Sequence, residues 1–281
     1  MMMTCGGVLE AGAVVGKFRV LDVLPLSCGG MAYIALACEY SSPQKVVLKI
    51  SRTGPEAARC LSAVHREVEV LQRLKHTGIV SLYELAPDTF CPYKEKAVNL
   101  PGAPWYFAIE HLEGGSLRAY LQTWGALSLD EGAGIGLRIC DALTQVHEAE
   151  FAHNYIKPAN ILFRTRPEAG MPVEPVLIDF GIAAQRGQVQ RDGSLAAMAP
   201  ERLMPNSSAW TPHETADGAK SDVWSLGVLL YVIFTGRQPF MRISDRRTIM
   251  AIREERPASL GAIRNGFPAV HDVPGPRRPD Q

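Results

Sequence analysis

The order of hydrophobic patterns along the chain constrains its fold more than any other feature. Before the pair Gly114 and Gly115, short apolar segments with strand-like composition lie at 17–26, 31–38, 45–50, 79–85 and 105–110. Residues 56–75 interrupt them with an apolar repeat at steps of three and four, which predicts one amphipathic helix. After the glycine pair the longer apolar patterns are helical. We therefore predict an α+β fold in which a small β-rich part with one helix precedes a larger helical part.

The helical part carries start and stop signals that can be read directly. Ser128 and Glu131 form a capping-box pattern for a helix that runs to about residue 150. A strongly apolar helix over 221–235 is predicted to end at Gly236, because glycine readily adopts the left-handed conformation of a C-cap. The remaining apolar segments are shorter, two strands and one helix, at 160–163, 176–179 and 243–255.

Proline marks two stretches that lack a regular pattern. Between the strands predicted at 79–85 and 105–110, four prolines and Gly102 predict a long surface loop. From Pro268 onward, prolines and arginines occur without an apolar face, which predicts a disordered tail.

Composition limits the classes of function. The chain has 281 residues, with 29 basic and 29 acidic side chains, so no overall charge favours nucleic acid or an anionic membrane, and phosphate recognition has to be local. The six cysteines lack metal-ligand spacing and are expected to be reduced thiols. The longest apolar run, 224–234, is too short to span a bilayer. We predict a cytoplasmic protein without a membrane span in this chain.

Six short motifs occur in a fixed order after the first strands. They are Val46-Val47-Leu48-Lys49, a helical Glu67, His153-Asn154-Tyr155-Ile156-Lys157-Pro158-Ala159-Asn160, Asp179-Phe180-Gly181, Ala199-Pro200-Glu201 and Asp222-Val223-Trp224. Each is weak alone, but their order and spacing over residues 17–240 resembles the eukaryotic-type Ser/Thr protein kinase family. The resemblance implies a bilobal kinase-like domain at 14–268 with short tails at 1–13 and 269–281. Its N-lobe would span 14–110, its hinge 110–114 and its C-lobe 115–268.

The resemblance also implies a site for ATP and Mg²⁺. Lys49 would hold the α- and β-phosphates and Glu67 would pair with it, while Asn160 and Asp179 would supply oxygen ligands to the metal. Lys157 would stand among the catalytic residues. The adenine and its phosphates would meet loop, pocket and hinge residues, namely Leu26, Gly29, Gly30, Ile34, Val47, Leu162, Glu110 and Leu112. Ile109 would lie behind the adenine, and His153, Phe180, Leu71 and Leu82 would stack between the lobes above Asp222.

One departure from the family bears directly on function. Where the family has His-Arg-Asp, this chain has His153, Asn154 and Tyr155. The missing aspartate accepts the proton of the substrate hydroxyl, whereas a phenol has an ordinary pKa near 10 and is a poor acceptor at neutral pH. Losing a general base costs roughly 10²–10⁴-fold in rate. We therefore predict that Tyr155 packs into the catalytic position, and that the loop activation involving the family's arginine is absent.

Two further departures concern the glycine loop and the C-terminal end. Only Gly29, with Gly30 beside it, remains of the family's glycine pattern, and Ser27 and Ala32 replace the flanking glycines, which predicts weakened nucleotide binding. The family continues with further helices and an arginine that pairs with the glutamate matched by Glu201. The C-lobe is therefore expected to be truncated, and Glu201 to lack that partner.

These features together predict a pseudokinase that binds ATP and Mg²⁺ weakly and regulates or scaffolds a protein partner. An active but slow Ser/Thr protein kinase acting on protein hydroxyls is the first alternative. A nucleotide-free interaction domain is the second, and a decayed or truncated reading frame that folds poorly is the third. The chain is not expected to bind nucleic acid.

Overall fold

The β-rich part is one antiparallel sheet. The structure is a computed structural model that describes residues 9–24, 30–87, 89–168, 171, 173–185, 193–203 and 217–263. Its first seven strands are β1 (Val14–Val15), β2 (Phe18–Leu24), β3 (Ala32–Glu39), β4 (Lys45–Ser51), β5 (Leu82–Tyr83), β6 (Lys94–Lys96) and β7 (Trp105–Glu110). They lie in the order β1-β2-β3-β4-β7-β5, and β6 also pairs with β7. This is the N-lobe that the early apolar segments predicted.

Two details of the sheet differ from the sequence-based expectation. The stretch predicted as a surface loop contains β6, in which Glu95 lies opposite Tyr106 and accepts a hydrogen bond of 2.8 Å from its hydroxyl. The sequence Lys-Glu-Lys carries no apolar alternation, so no periodic signal marks this strand. The strand predicted at 79–85 is shorter, because only Leu82 and Tyr83 pair with β7.

One helix, α1 (Ala57–Arg73), packs against this sheet as predicted. Its buried face includes Val64, Val68 and Leu71, and it also carries Glu67, which is buried despite its charge. On β4, Lys49 lies opposite Ile34 of β3 and Phe107 of β7. Because directly opposite residues share a face of a sheet, the register sets Lys49 and Ile34 side by side.

The larger part is helical, with short strand pairs between the helices. The helices are α2 (Leu117–Trp124), α3 (Leu129–Glu148), α4 (Gly218–Thr235), α5 (Asp245–Glu254) and α6 (Leu260–Ile263), and the strands are β8 (Phe151–Ala152), β9 (Ile161–Phe163), β10 (Pro175–Leu177) and β11 (Ala184–Gln185). The capping box of Ser128 and Glu131 begins α3, and Gly236 ends α4 with a φ of 66°. Both signals are confirmed, whereas α2 and α6 were not predicted.

A continuous apolar core joins the two lobes. Leu71 and Phe180 are buried in it, and Leu82 packs against it. The rings of His153 and Phe180 lie 4.5 Å apart, which is the one contact of the predicted interlobe column that the structure gives directly, and the full stack of four side chains stays a prediction. In the described part of the chain, no helix is both long and apolar enough to cross a membrane. The cytoplasmic location, the domain boundaries and the C-terminal truncation stay predictions, and residues 269–281 lie outside the described residues.

Candidate active site

A buried ion pair stands at the centre of the cleft between the lobes. Lys49 Nζ lies 2.6 Å from Glu67 Oε1, and the two side chains are only 8% and 5% exposed. Burial acts to lower the pKa of Lys49, but the carboxylates of Glu67 and Asp179 outweigh it and the pKa is raised. Burial raises the pKa of Glu67, and the nearby charge of Lys49, which lowers that pKa, only partly offsets the rise. We take the pair as charged, because a contact this short is typical of a charge-assisted hydrogen bond.

Asp179 brings a second carboxylate to the same ammonium. Its Oδ1 lies 3.7 Å from Lys49 Nζ, and its side chain is 34% exposed. The backbone of Asp179 has a φ of 68°, the left-handed conformation that aspartate tolerates better than most residues. The next amide, that of Phe180, donates to Glu67 Oε1 at 3.3 Å. Glu67 therefore binds both Lys49 and the segment that carries Asp179.

The loop that follows β8 is held by one fully buried carboxylate. Asp222 in α4 accepts hydrogen bonds from the backbone amides of His153 at 2.7 Å and Asn154 at 2.8 Å. Its Oδ2 also lies 2.9 Å from Nε2 of His147. Asn154 has a φ of 63°, a conformation that asparagine adopts readily. Asp222 thus anchors this loop, as predicted, by accepting hydrogen bonds from two backbone amides.

His153 is neutral in this arrangement. Its Nε2 lies 3.1 Å from the carbonyl oxygen of Ile178, while its Nδ1 lies 3.1 Å from the amide nitrogen of Tyr155. An amide can only donate, so Nδ1 accepts and Nε2 carries the proton. Complete burial lowers the pKa of His153, although Asp222 and Asp179 oppose that shift. The histidine therefore connects two backbone segments of the site without carrying charge.

Asn160 is oriented by the residue that replaces the family's base. Its Nδ2 donates to the carbonyl oxygen of Tyr155 at 2.8 Å, and the side chain is buried. Because Nδ2 of Asn160 donates to Tyr155, its Oδ1 remains available as an acceptor beside the loop. An amide oxygen and the carboxylate of Asp179 are ligands that suit a hard cation. Among the described residues, no group of three or more His, Cys, Asp or Glu side chains forms a denser metal cluster.

Tyr155 borders the cavity that contains the buried ion pair. A cavity of about 360 Å³ is lined by Tyr155 together with Ile34, Lys49, Glu67 and Asp179. The ammonium of Lys157 lies 3.7 Å from the centroid of the Tyr155 ring. The two residues predicted for the catalytic position are thus in contact with each other. The backbone amide of Tyr155 donates to His153 and its carbonyl oxygen accepts from Asn160, while its side chain is a phenol where the family motif has a carboxylate.

The predicted adenine-binding residues lie on strands of both lobes and in the connection between them. Ile34 and Val47 are partly buried on neighbouring strands, and Leu162 is partly buried on β9. Ile109 is buried in β7, and Leu112 is buried in the connection between the lobes. Of these five residues, Ile34 alone lines the cavity that Tyr155 borders. Among the described residues, the other four therefore do not form one pocket with Ile34.

The glycine loop is described only at its end. Gly30 is partly buried, and its carbonyl oxygen accepts a hydrogen bond of 3.1 Å from Arg52. Leu26 and Gly29, together with Ser27 and Cys28, lie outside the described residues. Their predicted contacts with phosphate stay predictions.

Two interactions in the site had no sequence signal. Glu201 was expected to lack the family's arginine partner, which stays a prediction, and in the structure Ser221 Oγ donates to its Oε1 at 2.9 Å while the residue is only partly buried. Glu110 is predicted as a hinge residue, and its side chain binds Arg164, which does not line the cavity bordered by Tyr155. Neither Ser221 nor Arg164 belongs to a recognisable motif, and both lie far along the chain from their partners.

Comparison with known proteins agrees with this architecture. The fold and the cleft define a bilobal kinase domain, with a curled β-sheet lobe and a helical lobe. Residues 25–272 match the family described as protein kinase domain, and the chain belongs to that family.

The chain is similar to serine/threonine kinases from distant organisms. It is 30% identical over 231 residues to serine/threonine-protein kinase RAD53 of Saccharomyces cerevisiae, a match that covers 79% of this chain and 26% of that protein. It is 28% identical over 240 residues to probable serine/threonine-protein kinase PknB of Bifidobacterium longum, covering 84% of this chain and 31% of that protein. Putative sperm motility kinase W of Mus musculus is 28% identical, with 95% and 48% covered. The chain spans less than half the length of these relatives.

Proposed function

We propose that this protein kinase domain binds ATP with Mg²⁺, transfers phosphoryl groups poorly, and regulates or scaffolds a protein partner. The observation that carries the proposal is the position of Tyr155. Its side chain borders the cavity that also contains Lys49 and Asp179, at the place where the family's motif has aspartate. The residues expected to bind the phosphates are therefore retained beside a side chain that is a poor proton acceptor.

Phosphoryl transfer depends mostly on positioning and charge, and a carboxylate contributes by orienting the attacking hydroxyl and taking its proton. A neutral phenol donates a hydrogen bond readily but removes a proton poorly. Replacing the carboxylate is expected to cost roughly 10²–10⁴-fold in rate. The phenol ring also takes up part of the space in front of the phosphates. Both effects act on transfer and leave nucleotide binding in place.

The contact between Lys157 and Tyr155 adds a second reason for slow transfer. By the family resemblance, Lys157 would stand among the catalytic residues, where a free ammonium could meet phosphate oxygens. Its ammonium instead lies over the Tyr155 ring at 3.7 Å, a cation–π contact worth about 0.5–2 kcal/mol. This attraction competes with any contact between Lys157 and a phosphate oxygen.

Retention of nucleotide is supported by the other half of the site. Lys49 is held by Glu67 at 2.6 Å and approached by Asp179 at 3.7 Å. ATP carries several negative charges, and an ammonium fixed in a partly dry cleft attracts them more strongly than one in water. Asn160 and Asp179 offer oxygen atoms that fit Mg²⁺. These residues would hold the cation against the phosphates.

The test combines two measurements on the whole chain. Thermal unfolding is followed while ATP with Mg²⁺ is titrated, and transfer of the γ-phosphate to a generic protein substrate is measured in parallel. We expect a saturable rise in the unfolding midpoint that Lys49→Met removes, with transfer far below the roughly 1–100 s⁻¹ of ordinary kinases. Transfer at ordinary rates that depends on Lys49 would refute the impairment. The absence of any midpoint shift would refute nucleotide binding and favour a nucleotide-free interaction domain.

A slow but active Ser/Thr protein kinase is the second candidate. It is favoured by the intact Lys49–Glu67 pair, because that pair serves transfer as well as binding. This candidate predicts weak incorporation of phosphate into serine or threonine that increases in proportion to enzyme and disappears in Lys49→Met. The first candidate predicts transfer so slow that incorporation is not distinguished from the Lys49→Met control in the same assay.

A further inference from the structure

A single arginine binds the connection between the lobes. Arg164, one residue after β9, pairs through its guanidinium with both carboxylate oxygens of Glu110, the last residue of β7. The same guanidinium donates to the carbonyl oxygen of Thr77 at 2.9 Å, and its Nε lies 3.7 Å from Glu174 Oε2. Thr77 follows α1 and Glu174 precedes β10. Arg164 therefore joins both lobes and the segment between them.

The backbone around Arg164 binds the same connection. The amide of Glu113 donates to the carbonyl oxygen of Arg164 at 3.3 Å, and the amide of Gly114 donates to that of Phe163 at 3.0 Å. A Cβ atom on Gly114 would lie 2.2 Å from the carbonyl oxygen of Thr165, a distance no side chain tolerates. Glycine is thus required at 114 because the segment 163–165 passes directly against the connection.

Glu110 is also fixed from the N-lobe side. Its Oε1 accepts a hydrogen bond of 2.9 Å from the amide of Ser81, and its own amide donates to the carbonyl oxygen of Ser81 at 3.0 Å. The carboxylate of Glu110 thus lies between Ser81 of the N-lobe and Arg164 of the C-lobe. Any rotation of one lobe against the other has to stretch this link or break it.

We infer that Arg164 is a positioning residue of the nucleotide site, which holds the segment 110–114 in place through Glu110 and thereby limits opening of the cleft. The inference rests on the proposed nucleotide binding. The backbone of 110–112 is the part of the site expected to meet the adenine edge, whereas the side chain of Glu110 binds Arg164, and neither residue lines the cavity that Tyr155 borders. Recognition would then use the backbone of this short segment, and restraint would use the side chain of Glu110.

The geometry suits a restraint that can open and close. Arg164 and Glu110 are 33% and 23% exposed, so water reaches the pair and its opening leaves no charge fully buried. Two N–H groups of one planar guanidinium meeting one carboxylate fix direction as well as distance. A lysine cannot reproduce that fork, so Arg164→Lys is expected to retain charge but lose much of the restraint.

The experiment measures the connection and the nucleotide separately. Amide hydrogen exchange is followed at Glu110, Glu113 and Gly114 in the protein without nucleotide, and dissociation of a fluorescent ATP analogue with Mg²⁺ is followed by rapid mixing. We expect Arg164→Ala to accelerate both by about threefold to tenfold, and Arg164→Lys to give an intermediate change. Arg242→Ala is the matched control, because Arg242 is 36% exposed, close to the 33% of Arg164, and pairs with Glu255 in the C-lobe, away from the connection.

Each outcome decides the inference. Faster exchange together with faster dissociation supports it, and partial recovery in Arg164→Glu combined with Glu110→Arg strengthens the assignment to this pair. Faster exchange with unchanged dissociation overturns the positioning role while leaving nucleotide binding intact. If the native protein does not bind the analogue, the proposed nucleotide binding fails. In that case hydrogen exchange still tests the restraint of segment 110–114 by Arg164, and unchanged exchange in Arg164→Ala overturns it.

Discussion

The ammonium of Lys157 lies 3.7 Å from the centre of the Tyr155 ring, so the two side chains predicted for the catalytic position bind each other. In a protein kinase the corresponding position carries a carboxylate, which would pair with the same lysine through charge. Here an uncharged ring attracts the ammonium, and the proton acceptor is lost. The substitution therefore changes both partners of the catalytic loop at once.

Restoring a carboxylate at 155 tests whether the rest of the site is intact. We expect Tyr155→Asp to raise γ-phosphate transfer on the order of 10²-fold or more, because it supplies an acceptor and releases Lys157 from the ring. Tyr155→Phe is the matched control, since it keeps the ring and is expected to leave transfer at the native level. A gain in Tyr155→Phe equal to that in Tyr155→Asp would show that the phenol hydroxyl, and not the missing carboxylate, limits the reaction.

The buried pair of Lys49 and Glu67 predicts a non-additive effect on stability. Removing the ammonium in Lys49→Ala leaves a carboxylate that is 5% exposed without its nearest cation, and we expect the free energy of unfolding to fall by about 3–5 kcal/mol. Lys49→Met combined with Glu67→Leu is expected to recover much of that loss, because no buried charge remains. Urea denaturation measures both. Equal losses in the single and double variants would contradict the pairing.

The metal role of Asp179 predicts a change in Mg²⁺ dependence. In the native protein we expect Mg²⁺ to increase the thermal stabilisation that ATP gives. Asp179→Asn removes the carboxylate charge and is expected to weaken this Mg²⁺-dependent part by about tenfold or more in apparent affinity. Asp141→Asn serves as the control, because Asp141 is an exposed residue of α3 that binds His76. An unchanged Mg²⁺ titration in Asp179→Asn would remove Asp179 from the proposed site.

The buried neutral His153 predicts loss of stability in mild acid. Its pKa is lowered in the folded protein by burial, so below the ordinary value of 6.5 the unfolded chain binds a proton that the folded chain does not. The stability contributed by neutral His153 is therefore present above 6.5 and falls as the pH drops below it. We expect His153→Gln to be less stable at pH 7 and to lose less stability between pH 7 and 5. Parallel pH profiles from urea denaturation would contradict this origin.

Local patterns in the sequence determined much of the fold. The apolar repeat of α1, the capping box of Ser128 and the stop at Gly236 all describe interactions within a few residues, and each was confirmed. The strand β6 was missed because its pairing with β7 depends on hydrogen bonds of the backbone, while its side chains are charged. Helix α2 was missed although Ser116 caps its first turn. Such short elements depend on packing more than on periodicity.

The candidate site was predicted in its chemistry and only partly in its contacts. The sequence indicated Lys49 with Glu67 and Asp222 beneath the catalytic loop, because their motifs occur at family-like spacing. It did not indicate that Tyr155 would hold both Asn160, through its carbonyl oxygen, and Lys157, through its ring. The direction of a side chain depends on neighbours that no spacing rule describes.

The sequence by itself determined the order of the longer elements, the family and the absence of a carboxylate at 155, because those properties follow from residue identity and local periodicity. Only the tertiary structure decided which partners meet. Arg164 reaches Glu110 across 54 positions of the chain, and Glu201 meets Ser221 across 20. Contacts of this kind form because the packed core brings distant segments together, and their energies depend on burial that exists only after folding.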